Sequence, residues 1–167
     1  WCRHHGLLQD DISLHLDSEG GTATLSLTAH RDLGPYREFC PVSVLRNAHG
    51  LACWFIDSRI PLQGAQFPFA RPAHHEAYGV LFPGPTRFGT GPAAIRFDAR
   101  YLHLPLQRDE AALRLMLQRA LPLTVLQYRR DRLLVQRVRH TLAADPAAAH
   151  SAEALAQRLH LSPRTLH

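Results

Sequence analysis

Apolar and polar residues alternate over residues 11–28. The apolar side chains fall at every second position on both sides of a central Ser18-Glu19-Gly20-Gly21, and they are Ile12, Leu14, Leu16, Ala23, Leu25 and Leu27. A period of two places these side chains on one face of a strand, and paired glycines suit the backbone of a tight turn. The pattern predicts a β-hairpin.

The rhythm changes to steps of three and four between Tyr36 and Trp54. The apolar face is carried by Phe39, Val42, Leu45, Ala48 or His49, and Ala52. This spacing predicts an amphipathic helix, with Pro41 in its first turn, where a missing N–H is tolerated. Gly50 leaves the far end of the helix less well defined.

Shorter elements follow, separated by prolines and glycines. Residues 66–70 read as a short strand that lies at a sheet edge, or that uses Pro68 where no ladder bond is lost. Residues 72–81 predict a short helix ended by Pro83-Gly84. Residues 86–89 and 94–97 predict a second pair of short strands, separated by residues 89–92.

The remaining chain has a helical pattern. Asp109 is the expected N-cap of a helix that carries leucines up to Leu121 and that Pro122 ends or kinks. A second helix is predicted over residues 130–144, with leucines and Val138 on one side and arginines on the other. The fold class is therefore α+β: a small mixed domain of β-hairpin, helices and short strands, followed by an all-α linker.

Residues 151–167 have the signals of two short helices joined by a turn. Ser151 caps the first, whose buried face holds Leu155, Ala156 and Leu159, and His160-Leu161 forms the turn. Ser162 and Pro163 suit the N-cap and first position of the next helix. The arrangement predicts the start of a helix-turn-helix, although the same unit also occurs as a plain helical corner.

Charge favours a polyanionic partner. The net charge is +5, all nineteen basic residues are arginine, and the acidic residues of the C-terminal region are few. Its arginines are Arg129, Arg130, Arg132, Arg137, Arg139, Arg158 and Arg164. The positive start of the helix at Ser162, with Arg164 beside it, suits a phosphate or the major groove. An RNA-binding role is disfavoured because surface aromatic residues are not interleaved with these arginines.

Composition also bears on compartment and on the ends of the chain. Three widely spaced cysteines, Cys2, Cys40 and Cys53, predict reduced thiols rather than disulfides or a zinc site. No signal peptide and no apolar run of roughly 18 residues occurs, so a cytoplasmic protein without membrane contact is expected. The single methionine is Met116 and the sequence stops at His167 inside a predicted helix, so both ends are expected to be cut.

No motif supports catalysis, a metal or a cofactor. His75-Glu76 begins like a zincin motif, but Gly79 stands where the second histidine is needed. Cys53 lacks the glycine pattern of a thiol-protease nucleophile and is expected in the core, and no G-x-S-x-G motif is present. We expect no catalytic residues, no metal ligands and no cofactor.

Two stretches carry a family resemblance. Leu155-Ala156-x-x-Leu159-His160-Leu161-Ser162-Pro163-Arg164-Thr165-Leu166 resembles the first helix-turn-helix of AraC/XylS-family transcription regulators. Residues 12–127 resemble the arabinose-binding-like effector domain of one branch of that family. The matching pieces are Phe67-Pro68-Phe69-x-x-Pro72, Tyr78, Leu81-Phe82, Arg87-Phe88-Gly89, Ile95-x-Phe97 and Leu102-x-x-Pro105-Leu106.

The resemblance implies a DNA-binding regulator of which this chain is a fragment. Residues 1–127 would be the C-terminal part of an effector-sensing and dimerisation domain, and residues 128–167 the first helices of a truncated DNA-binding domain. Arg164 and His167 would face base edges and Thr165 would lie nearer the backbone, with Ser162 at the helix start. The implied partners are promoter DNA, an unknown small-molecule effector and a second copy of the chain, with RNA polymerase as a further candidate. The fragment itself would bind DNA weakly or not at all.

Six residues are candidates for contact with the effector. Trp54, Phe67 and Tyr78 belong to an aromatic set that suits either an apolar pocket or an ordinary core. His30, Arg31 and Arg87 are candidate polar contacts for an anionic effector. The alternative function is a ligand-binding or protein-interaction module without DNA binding.

Overall fold

The structure is a computed structural model, and it describes residues 2–7, 10–118, 120, 131–144 and 151–162. The chain forms two compact units, Trp1–Arg129 and Arg130–His167. The first contains a five-stranded sheet with helices, and the second is helical in the residues described. The predicted α+β fold class is confirmed.

The predicted hairpin consists of two strands, β1 (Ile12–Glu19) at the edge of the sheet and β2 (Thr22–Ala29) in its interior. They pair antiparallel with Leu14 opposite Leu27 and Leu16 opposite Leu25. Gly20 and Gly21 both have positive φ, of 56° and 81°, which explains the paired glycines at the turn.

Three further strands complete the sheet. They are β3 (Leu62–Phe67), β4 (Thr86–Phe88) and β5 (Ala93–Asp98), and the order across the sheet is β1-β2-β5-β3-β4. β5 is antiparallel to β2 and to β3, whereas β3 and β4 are parallel.

One expectation about these strands was wrong. The strand predicted over residues 66–70 instead ends at Phe67, before Pro68, and it is an interior strand because both its sides are hydrogen-bonded. The strands predicted over residues 86–89 and 94–97 are present as β4 and β5, and β3 lies between them in the sheet.

The long helix α1 (Phe39–Phe55) confirms the prediction from the three- and four-residue spacing, with Pro41 in its first turn. The helix predicted over 72–81 is shorter, because α2 spans only Ala77–Leu81. The residues ahead of it form turns closed by bonds between residues three apart, such as His75 N to Pro72 O at 3.1 Å.

α3 (Glu110–Leu117) begins as predicted at Asp109, whose carboxylate accepts a hydrogen bond from the Ala112 N–H at 2.8 Å. The second unit contains α4 (Arg132–Ala144) and α5 (Ala152–Arg158). Short 3₁₀ helices occur at Cys2–Leu7, Gly34–Tyr36 and Ala99–His103. Leu121, Pro122, Asp145 and Pro146, expected at helix ends, lie outside the described residues.

Candidate functional site

A cavity of about 480 Å³ lies in the first unit between α1 and the sheet. Its lining is almost wholly apolar: eleven of thirteen lining residues carry aliphatic or aromatic side chains, and the other two are Cys2 and His49. Its apolar lining consists of Leu14, Leu16, Leu25, Ala48, Leu51, Ala52, Phe55, Ile60, Ile95, Phe97 and Leu102. This size and lining are typical of small-molecule sites.

The sheet side of the cavity follows from strand register. Leu16 is opposite Leu25, and Leu25 is opposite Ile95, so the three side chains form one row across β1, β2 and β5. The alternation that predicted the hairpin therefore also builds this wall. Leu16 remains 44% exposed, although Leu14 two residues earlier is buried, which places Leu16 where the cavity meets solvent.

The helix side of the cavity is built from α1. Ala48, Ala52 and Phe55 recur at steps of four and three, which puts them on one helix face. A helix over a sheet normally fills the intervening space with long side chains. Two alanines at successive turns do not reach across, and the unfilled space is the cavity.

His49 supplies the imidazole at the cavity wall. The ring is buried, its Nδ1 lies 2.9 Å from Nη1 of Arg46, and its Nε2 lies 2.8 Å from the Ile60 carbonyl oxygen. Because a guanidinium only donates and a carbonyl only accepts, Nδ1 is the acceptor and Nε2–H the donor. The ring is therefore neutral, and both of its nitrogens are engaged.

Electrostatics agree with a neutral His49. Burial, opposed by the hydrogen bond to Ile60 and reinforced by the charges of Arg46 and Arg59, lowers the pKa of His49 to about 4. The thiol of Cys53 lies 3.7 Å from Nε2 of His49, and burial raises its pKa to about 11. Cys53 is 2% exposed, as the sequence predicted for a core cysteine. Neither group is ionised near neutral pH.

None of the six predicted effector contacts lines this cavity. His30 Nε2 lies 3.0 Å from Ser13 Oγ, and Arg31 forms an exposed ion pair with Asp11. Arg87 is exposed on β4, at the opposite side of the sheet from β1. The three candidate polar contacts are thus not brought together.

Trp54 lies at the end of α1 and is held by the segment before α3. Trp54 is 6% exposed, and the guanidinium carbon of Arg108 lies 5.5 Å from the centroid of its ring. Arg108 also forms an ion pair with Asp57 at 2.6 Å. These contacts give Trp54 a structural role at the helix end.

Phe67 and Tyr78 are the two predicted residues that the structure does bring together. Their ring centroids lie 5.2 Å apart in an edge-to-face arrangement, within a group of five rings. We call this group the aromatic cluster, and it consists of Phe67, Phe69, Tyr78, Phe82 and Phe88.

The hydroxyl of Tyr78 donates to the Glu38 carboxylate at 2.7 Å, and His74 Nε2 lies 2.6 Å from the same oxygen. The Tyr78 hydrogen bond is the main cause that lowers the pKa of Glu38. Burial, followed by the hydrogen bond to Glu38, raises the pKa of Tyr78. The contact ties α2 to the residue that precedes α1.

Sequence reasoning missed the cavity lining and the group formed by Arg46, His49 and Cys53. A signal for the latter was present, since the three residues recur at steps of three and four along α1. Polar residues on the face of a helix that packs on a sheet need partners there. The cavity itself had no local signal, because it depends on which strands face the two alanines.

The second unit contains a capped helix and a tight turn. Ser151 Oγ accepts a hydrogen bond from the Ala154 N–H at 3.1 Å, and Ala156 and Leu159 are buried, as predicted. His160 has a φ of 54°, its N–H donates to Gln157 O, and the Leu161 N–H donates to Ala156 O at 2.9 Å. This pair of bonds is a Schellman motif, which ends α5 sharply.

Arg137 of α4 donates to the Leu159 carbonyl oxygen at 2.9 Å and so satisfies another group at the end of α5. Ser162, a predicted DNA contact, is exposed immediately after the turn. The other three predicted DNA contacts, Arg164, Thr165 and His167, lie outside the described residues.

Metal ligation and membrane insertion find no support in the part of the chain that the structure describes. Within it, no three histidine, cysteine or acidic side chains are grouped so that they could hold a metal ion. None of its helices is long and apolar enough to cross a membrane.

Comparison with known proteins identifies the family. Residues 1–106 match the model of the arabinose-binding domain of AraC transcription regulators, an N-terminal domain. Among curated proteins, no sequence matches the chain. The fold is similar to the crystal structure of the transcriptional regulator CdpR from Pseudomonas aeruginosa, with 16% identity and a TM-score of 0.50 over 93% of this chain.

The chain covers 51% of CdpR, about half of that protein's length. The matching family is one of transcription regulators and not a class of enzymes. Since the family match spans 106 of the 167 residues, the chain belongs to the AraC transcription regulators through their N-terminal arabinose-binding domain.

Proposed function

We propose that this protein is a DNA-binding transcription regulator whose first unit senses a small molecule. The second unit then supplies the first part of a helix-turn-helix that engages promoter DNA. Under this proposal residues 1–127 belong to the sensing and dimerisation domain, and residues 128–167 begin the DNA-binding domain. AraC-type membership of the first unit supports the regulatory role.

The observation that carries the DNA-binding part is the turn at His160. A capped helix, a buried Ala156 and a Schellman turn lead directly to an exposed Ser162. Ser162 is followed in the sequence by Pro163-Arg164, which suit the start of a recognition helix. A small residue at position 156 allows the next helix to cross close to α5.

The test is binding of the full-length gene product to DNA from upstream of its own gene, at two salt concentrations. We expect binding that weakens with salt, because phosphate contacts release counterions. Arg164→Ala is expected to remove sequence-specific binding, whereas Arg71→Ala, an exposed arginine of the first unit that lies outside α3, serves as the matched control. Binding no tighter than to random-sequence DNA would favour the ligand-binding or protein-interaction module instead.

We propose further that the regulator is a dimer, because paired DNA half-sites reflect a two-fold protein. The candidate surface is the outward side of α3, where Leu115 and Leu117 are 68% and 63% exposed while Met116 is buried. Sedimentation of the Leu115→Glu variant tests this: a shift toward monomer is expected, and an unchanged dimer would place the interface elsewhere.

A further inference from the structure

The cavity between α1 and the sheet is the strongest feature that the regulatory function leaves without a defined role. The family is named for arabinose binding, but among the lining residues that the structure describes only Cys2 and His49 carry a polar side-chain atom. Resting on the proposed effector-sensing function, we propose that this cavity binds an uncharged, predominantly hydrocarbon molecule rather than a sugar.

Hydrogen bonding in the cavity disfavours a sugar. A pentose has hydroxyls around its ring, and each one taken from water needs a partner in the site. Of the thirteen lining residues, only His49 and Cys2 carry a polar side-chain atom. Both nitrogens of His49 are already engaged, by Arg46 and by the Ile60 carbonyl. A buried sugar would leave most of its hydroxyls without side-chain partners there.

The charge of the lining disfavours an ionised ligand. Among the lining residues that the structure describes, none is acidic and none is an arginine or a lysine. Its imidazole is neutral by its hydrogen-bond pattern, since Nδ1 accepts from Arg46 and Nε2–H donates to Ile60. A charged group inside the cavity would therefore lose its hydration without gaining a counter-charge from the lining.

The size and opening of the cavity suit a hydrocarbon. A volume of about 480 Å³ holds on the order of a dozen non-hydrogen atoms or more, since one water molecule takes about 30 Å³ in the liquid. Leu16 and Leu102, 44% and 43% exposed, lie where the cavity opens to solvent. Two half-exposed leucines at the opening suit the entry of an apolar molecule, because they contact its hydrocarbon as it passes from solvent into the cavity.

The experiment compares two probes of similar size, 1-octanol and L-arabinose, on the full-length protein. N-phenyl-1-naphthylamine fluorescence reports occupancy of the cavity, and each probe is added as a competitor. We expect 1-octanol to displace the dye and L-arabinose to leave it in place. Displacement by L-arabinose, or no saturable dye binding, would overturn the proposal.

Two variants tie the signal to this cavity. Ala52→Phe extends a ring from α1 into the space and should weaken dye binding at least about tenfold. Leu102→Asn places a polar group at the opening and should weaken it severalfold, whereas Leu106→Asn, an exposed leucine outside the lining, is the matched control. If Ala52→Phe does not fold, the comparison of dye binding between Leu102→Asn and Leu106→Asn alone tests the site. Equal binding by all folded variants would show a non-specific surface and refute the proposed site.

DNA binding is measured in the same preparations, so that the two proposals fail separately. Intact promoter binding without dye binding removes the hydrocarbon site and leaves the regulator. Dye binding that responds to these variants without promoter binding keeps the site and removes the DNA-binding role on which its signalling function rests.

Discussion

Two apolar regions of the first unit are built on the same sheet and are filled differently. Around β3 and α2, the aromatic cluster brings rings to centroid distances of 5.0–6.4 Å, and Phe67 is fully buried. Between α1 and β1, β2 and β5, a cavity of about 480 Å³ remains. The difference lies in side-chain size. Aromatic rings of phenylalanine and tyrosine face one another in the first region, whereas alanines of α1 face leucines of the sheet in the second. A packed cluster stabilises the fold, whereas an unfilled region leaves room for a ligand.

The largest expected change in stability comes from truncating one aromatic ring in the aromatic cluster and one at the cavity. Phe67→Ala should lower the free energy of unfolding by about 3–5 kcal/mol, because a fully buried ring leaves a cavity among close neighbours. Phe55→Ala, at the edge of the existing cavity and only half-buried, should cost about half as much. Urea unfolding of both variants measures the difference. Equal losses would mean that the two regions are equally well packed.

The second prediction uses pH to probe the wall of the cavity. The pKa of His49 is lowered from 6.5 to about 4, so the unfolded chain binds the proton more tightly than the folded one. The contribution of the neutral His49 to the free energy of unfolding is fully present above pH 6.5. It is lost as pH falls from 6.5 toward 4, and the loss is on the order of 3 kcal/mol. The charged groups that disfavour protonation are Arg46 and Arg59.

The measurement is urea unfolding at several values between pH 7.5 and pH 4, on wild type and His49→Gln. The variant should be less stable near neutral pH and should show a flatter dependence on pH. His140→Gln, in the second unit, is the control. A wild-type slope that persists unchanged in His49→Gln would assign the effect to other groups.

The sequence predicted those parts of the fold that depend on local signals. The β1–β2 hairpin follows from alternation and from Gly20-Gly21, and the N-caps at Asp109 and Ser151 were recognisable because each side chain bonds a backbone N–H within its own helical turn. β3 had no comparable signal. Its sequence lacks a period of two, and its register shifts between Leu62 and Gly64.

Gly64 shows why such a strand is decided by tertiary contacts. A Cβ there would lie 3.2 Å from the Pro85 carbonyl oxygen and 3.3 Å from Nη2 of Arg96. The close approach therefore depends on residues far along the chain. The candidate site has the same property, since Ala48 and Ala52 predict a helix face but not the leucines opposite them. The aromatic residues in the sequence indicated the well-packed aromatic cluster. The cavity, in contrast, lies beside small residues of α1.

The third prediction contrasts two alanines. Ala52→Leu adds methylene groups to unfilled space and should leave stability unchanged or raise it by about 1 kcal/mol. Ala23→Leu adds the same groups at a position that is 0% exposed and outside the cavity lining, and should lower stability by about 1–3 kcal/mol. Thermal unfolding of the pair distinguishes them. Destabilisation of both to the same extent would indicate that no usable space exists beside Ala52.

The smallest expected effect is at the rim of the aromatic cluster, where one hydroxyl links α2 to Glu38. Tyr78→Phe keeps the ring and removes the hydrogen bond to the carboxylate, so it should cost about 1 kcal/mol near neutral pH. The same bond is the main cause of the lowered pKa of Glu38, whose contribution to stability is present above pH 4.5 and is lost as pH falls below it. The wild type therefore loses the stabilising contribution of ionised Glu38 in acid. In Tyr78→Phe this contribution is already smaller near neutral pH, so the variant loses less of it. Unfolding curves at pH 7 and pH 3 should show the gap between the two proteins narrowing, while Tyr36→Phe, an exposed tyrosine, shows no gap at either pH. A gap of constant size would mean that the hydroxyl acts through packing in the cluster rather than through the carboxylate.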